Sequence, residues 1–112
     1  MGIPFILAAA MTLLQGTVWT AEGGPTKVIF DGNRVSGTLA CNNFSASYRV
    51  DGDSLSLGGV NSTRKFCGAA DAMREHAMVQ KLGQVVSFSR EGDVLSLLGK
   101  KGEVLLRFNA KA

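Results

Sequence analysis

From Thr17 onward, apolar and polar residues alternate in short segments separated by turn signals at nearly regular intervals, the pattern of an antiparallel sheet. Eight strands are predicted: Thr17 to Thr20, Lys27 to Phe30, Arg34 to Thr38, Phe44 to Val50, Ser54 to Leu57, Val85 to Arg90, Val94 to Leu98 and Val104 to Phe108. The punctuation between them is legible. Asp31-Gly32-Asn33, Asp51-Gly52-Asp53, Glu91-Gly92-Asp93 and Lys101-Gly102 each place a glycine where a hairpin needs positive φ, which gives a meander with local pairing. Asp51 to Leu57 and Glu91 to Leu97 also echo each other, as two hairpins that share one turn chemistry would.

One stretch changes period. Ala70 to Leu82 reads as a helix, with Asp71 as N-cap and Gly83 as the stop. Ala72, Met78, Val79 and Leu82 fall near one face, and Arg74 and Lys81 point away from it. Glu75 shares the apolar stripe, so its carboxylate requires a cation or backbone donors, because an unpaired buried charge is costly. The expected fold class is therefore α+β and β-dominated: a small antiparallel sheet or barrel-like domain of about eight short strands, with one helix over 70–82 packed on it.

The first residues stand apart. Gly2 to Leu14 carry no charge, and thirteen residues are too few for a helix to span a bilayer, which takes about 20. The run suits the apolar region of a secretory signal, with Ala8-Ala9-Ala10 as a candidate cleavage site, although no basic residue precedes it. An N-terminal core element of a cytosolic protein is the alternative. Residues 1–15 are accordingly set apart as a signal-like or weakly anchoring segment, and 16–112 as the domain.

Composition narrows the class further. A chain of 112 residues with 46% hydrophobic and 19% charged residues is one globular domain, and neither disorder nor several domains fit it. Fourteen glycines and two prolines without a period exclude a collagen-like repeat and agree with many tight turns. The net charge of +3 is spread along the chain, with only Arg64-Lys65 and Lys100-Lys101 adjacent, which argues against nucleic acid as a partner.

Cys41 and Cys67 are an even pair in a small chain with a signal-like start, so a disulfide is the first expectation. Two buried thiols are the alternative, and zinc on Cys41, Cys67 and His76 is a third, weakened by the absence of any finger spacing. Catalytic chemistry is thin. His76 is the only histidine, and the sequence contains no G-x-S-x-G, no phosphate-cradling Walker loop and no H-E-x-x-H. No catalytic residue, metal site or cofactor is assigned.

The segment Arg34-Val35-Ser36-Gly37-Thr38-Leu39-Ala40-Cys41-Asn42-Asn43-Phe44-Ser45-Ala46-Ser47-Tyr48 resembles the signature of the META domain, the family of the heat-shock protein HslJ. Ser62-Thr63-Arg64-Lys65-Phe66-Cys67 resembles the second motif of that family, and Glu75 with Leu82 fits the helix that follows. The resemblance covers about Trp19 to Phe108. It departs from the family pattern at Ala40 and Ala46, where glycines are usual, and in the short stretch between Trp19 and Lys27. It implies a compact β-rich domain with a helix, exported or membrane-attached, associated with stress or virulence and without an established enzymatic activity. The likeness of such folds to secretin pilot proteins suggests, by analogy, an apolar groove for a lipid or a partner peptide.

Each motif residue also has a physical role. Asn42 suits a turn or a left-handed position. Phe44 and Tyr48 share one strand face, with the Tyr48 hydroxyl reaching an edge, and Trp19 reads as a core plug. Gly37 and Thr63 complete the motif positions. Arg64 is expected in a strand-like run, bound bidentately to Glu75 as a strut between helix and sheet. Phe30, Phe66, Met78 and Leu82, with Phe44 and Tyr48, are the candidate lining of a groove between helix and sheet.

The expected function is that of a non-catalytic, monomeric, periplasmic or outer-membrane-associated module that binds a hydrophobic ligand, a lipid or an envelope protein. The alternative is a protease-inhibitor-like or protein-interaction module acting through its N-terminal segment or hairpin tips.

Overall fold

The computed structural model describes residues 14–24 and 26–110. The apolar run set apart at the N-terminus lies outside them, apart from its last residues. Among the described residues, nine strands and one helix follow in the order β1 (Val18–Ala21), β2 (Lys27–Asp31), β3 (Arg34–Thr38), β4 (Asn43–Asp51), β5 (Ser54–Leu57), β6 (Asn61–Ser62), α1 (Ala69–Gln84), β7 (Ser87–Glu91), β8 (Val94–Leu98) and β9 (Val104–Ala110). The fold is β-dominated, as the alternation predicts. Among the described residues no helix is long and apolar enough to cross a membrane.

The strands form one antiparallel sheet in the order β3-β2-β1-β9-β8-β7-β5-β4-β6, and a further β3–β4 pairing joins its ends into a ring of eight strands, with β6 as a flap on β4. The local hairpins are those the turns predict. Gly32, Gly52 and Gly92 have φ of 62°, 61° and 59° at the first residue of two-residue loops, the position for which type II′ hairpins favour glycine. Two joints close the ring, and neither is local. β1 pairs with β9 over Trp19 to Ala21, and β5 meets β7 at the single pair Ser54 and Ser87.

Alternation places the core inside this ring. Val28 and Phe30 point inward from β2 while Lys27, Ile29 and Asp31 face out, and Phe44, Ala46 and Tyr48 repeat the pattern on β4. Trp19 and Phe108 are fully buried, as are Leu55 and Leu95, the corresponding leucines of the two echoing hairpins. Phe30 and Tyr48 meet edge to face at 5.0 Å between ring centroids. The Gln15 side chain donates to the Tyr48 hydroxyl at 3.0 Å, which is the edge contact expected of that hydroxyl. Gly37 has its own steric reason: a Cβ there would collide with the backbone carbonyl of Lys27 on the neighbouring strand. Ala46 faces inward on β4 and is fully buried.

Leu14 and Gln15, just before β1, belong to the packed unit. Leu14 is buried, and the Trp19 indole Nε1 donates to its carbonyl at 3.2 Å. Gln15 forms a parallel bridge to Phe30.

The helix corrects several expectations. It runs from Ala69 to Gln84, beyond both predicted ends. Its N-cap is Gly68 at φ 109°, not Asp71, which instead lies in the first turn, 3.7 Å from Arg74. Gly83 is helical, and the stop comes at Val85, where the backbone turns extended and its N–H reaches Leu82 O. Leu82 is the only buried residue of the helix; Met78 and Val79 are half-buried, and Ala72 is exposed although it was placed on the inner stripe.

Candidate functional site

The two motif segments meet at the N-terminal half of α1. Cys41 and Cys67 are joined by a disulfide, with Cα atoms 6.4 Å apart, so neither thiol is free and the zinc and free-thiol alternatives fall away. The bond sets Asn42 and Asn43 against Thr63 to Lys65. There the Asn42 carboxamide is fully engaged, although the residue is 4% exposed. Its Oδ1 accepts from Lys65 N–H and from the Thr63 hydroxyl, both at 2.8 Å. Its Nδ2 donates to Lys65 O at 3.0 Å and to Glu75 Oε1 at 2.6 Å. Thr63 and Asn43 exchange further bonds, Asn43 N–H to Thr63 Oγ1 at 3.0 Å and Thr63 N–H to Asn43 O at 2.9 Å.

Glu75 completes this clasp from the helix. Its Oε2 accepts the N–H groups of Cys41 at 2.6 Å and Asn42 at 2.7 Å. Partial desolvation pushes its carboxyl up, but the bonds from the Asn42 side chain and the two backbone N–H groups outweigh this and hold it below the usual carboxylate range. The requirement for backbone donors is therefore met, and by Asn42 in place of Arg64. No ion pair joins Arg64 to Glu75 among the described residues; Arg64 is exposed in an irregular stretch, not in a strand. Three donors from the Cys41–Asn42 segment hold the carboxylate without a guanidinium.

Asn42 does not adopt the left-handed conformation, since no non-glycine residue among those described has positive φ. Its importance lies in distant partners, which turn chemistry does not reveal. A signal was nonetheless present: once Cys41 and Cys67 are bonded, antiparallel chain geometry puts residues 42–43 beside 63–65.

Beside the clasp lies a cleft of about 490 Å³, open to solvent, between α1, the β1–β2 turn and β9. Ala21, Ala77, Met78, Leu105 and Leu106 supply its apolar surface. Arg74, Lys81, Arg107 and Glu22 contribute charged groups, and Ala40 and Glu75 form the end next to the clasp. Of the groove residues expected from sequence, Met78 alone lines it. Phe30, Phe44, Tyr48 and Leu82 are consumed by the core, because inward alternation leaves them no open side. Phe66 is 79% exposed, beside the disulfide and away from the cleft lining.

His76 is exposed, no hydrogen bond joins it to Glu75, and no group of three metal-ligating side chains is found among the described residues.

A ring of antiparallel strands with a helix clasped beside it by a disulfide and a carboxylate is a fold with solved relatives. A protein from Burkholderia xenovorans, determined by NMR, superposes with a TM-score of 0.70 over 93% of this chain and 88% of its own, at 21% identity. A second NMR structure matches with a TM-score of 0.68 at 18% identity, covering 88% of this chain and 92% of that one. These likenesses concern the fold. The META domain model matches residues 10–112, and the chain belongs to that family. No curated protein matches it.

Proposed function

We propose that this protein is an exported, non-catalytic binding module of the stress- or envelope-associated kind, which holds an apolar ligand or partner segment in the cleft between α1 and β9. The observation that carries the reading is the way the helix is attached. Hydrogen bonds, a disulfide and one buried leucine hold α1, leaving its Ala77 and Met78 side over an open, partly apolar cleft. Apolar surface bordered by a limited set of charged groups that can orient a ligand fits the composition of a binding cleft. The disulfide is compatible with an oxidising compartment. Processing after Ala10 would leave Leu14 and Gln15 in the mature chain, where the ring uses both.

Uptake of the neutral dye N-phenyl-1-naphthylamine by the folded protein tests the cleft. Wild-type protein should enhance its fluorescence, and Ala77→Trp, which fills the cleft from an exposed helix position, should abolish the enhancement while the circular dichroism stays native. No uptake, or uptake that survives the substitution, refutes the reading. N-terminal sequencing of protein from an envelope fraction tests export, with a mature start before Leu14 as the expected result.

A further inference from the structure

The charged groups around the cleft are not equivalent. Glu75 lines one end, but both its oxygens are taken by Asn42 and the Cys41 and Asn42 N–H groups. Arg74 leans toward Asp71 at 3.7 Å. Lys81, on the last turn of α1, and Arg107, on β9, face the same cleft from its two walls and make no ion pair among the described residues. Glu22, at the β1–β2 turn, is the remaining carboxylate. The lining thus carries three cations, Arg74, Lys81 and Arg107, against two carboxylates, Glu22 and Glu75, an excess of one positive charge beside a surface of Ala21, Ala77, Met78 and Leu105. Long basic side chains in such a setting lay their stems along apolar surface and keep their heads in water, where an anion meets them.

We infer that the cleft takes an anionic amphiphile with a single alkyl chain, an alkyl carboxylate in the simplest case. The chain lies along Ala77, Met78 and Leu105, and the head group sits between Lys81 and Arg107. This inference rests on the cleft reading above and adds the sign of the head group. The volume, about 490 Å³, falls at the small end of the range for ligand pockets and suits one chain better than a two-chain lipid. A carboxylate would accept charge-assisted hydrogen bonds from both cations, whereas an ammonium head would be repelled by them.

The test displaces N-phenyl-1-naphthylamine from the intact protein with three twelve-carbon probes below their micelle concentrations: dodecanoate, dodecanol and dodecyltrimethylammonium. Dodecanoate should act at a concentration about tenfold lower than dodecyltrimethylammonium, with dodecanol between them. In the double variant Lys81→Gln, Arg107→Gln, both at exposed positions, the preference should shrink to about twofold while dodecanol is unaffected. Equal or better displacement by the cation overturns the inference and leaves the cleft standing. A preference that persists in the double variant also overturns it, because the anion is then read elsewhere. Failure of the dye itself to bind removes the cleft reading and this inference together.

Discussion

The interior of the ring and the attachment of the helix are held by different forces. Inside the ring, Trp19, Phe30, Leu95, Phe108 and their neighbours exclude water from one another, a cohesion without direction that tolerates small shifts. At the helix, Leu82 is the one fully buried side chain, and the rest of the hold comes from the disulfide and the hydrogen bonds that converge on Asn42 and Glu75. Such bonds fix position without covering area. The helix can therefore stay in place while one side of it borders an open cleft, which an apolar interface of comparable strength would have filled.

Truncation inside the ring should have the largest effect. Trp19→Ala removes a fully buried indole together with its bond to Leu14 O, and should cost about 3–5 kcal/mol in chemical denaturation. A loss under about 1 kcal/mol would show that the ring is not the main source of stability. Replacing both cysteines with serine should come next, at about 2–4 kcal/mol. Hydrogen exchange should locate that loss: amides of α1 lose protection while those of β8 and β9 retain it. Equal loss in both regions would erase the distinction drawn here.

Asn42→Ala should cost about 1–3 kcal/mol, because it removes one of the three donors to Glu75 and leaves the Lys65 backbone groups without the carboxamide that satisfies them. Acid acts on the same clasp. A carboxyl held below its unfolded value stabilises the fold fully above the unfolded value, about 4.3, and that contribution fades as pH falls through the lower folded value. Glu75→Gln should flatten this part of the stability profile; an unchanged acid limb would mean that other carboxylates dominate it. The smallest effect belongs to Arg64→Met, within about 0.5 kcal/mol, since the clasp closes without that guanidinium.

Much of the fold was legible because alternation and turn residues are local signals. β3, β5 and β8 match their predicted spans, and the hairpin glycines carry the positive φ the turns called for. β6 escaped because Asn61 and Ser62 are both exposed and carry no apolar alternation; they pair only because β4 passes beside them. The helix ends escaped because Gly68 caps by backbone conformation alone, leaving Asp71 as a misleading cue. In the candidate site, Glu75 announced itself as a carboxylate on an apolar stripe. Its partner did not, since Arg64 was the complementary charge in sequence and Asn42 the complementary donor in space.

Sequence by itself determined which residues face inward, where the chain reverses and which family the two cysteine motifs resemble, since all of these depend on neighbours a few positions apart or on short recognisable strings. Tertiary structure decided how the ring closes, through β1 on β9 and β5 on β7, and which donors reach Glu75. It also decided that the aromatic residues fill the core while the cleft is left to small and flexible side chains. These outcomes depend on segments distant along the chain arriving at one place, and the period of a strand does not encode where its edges will meet.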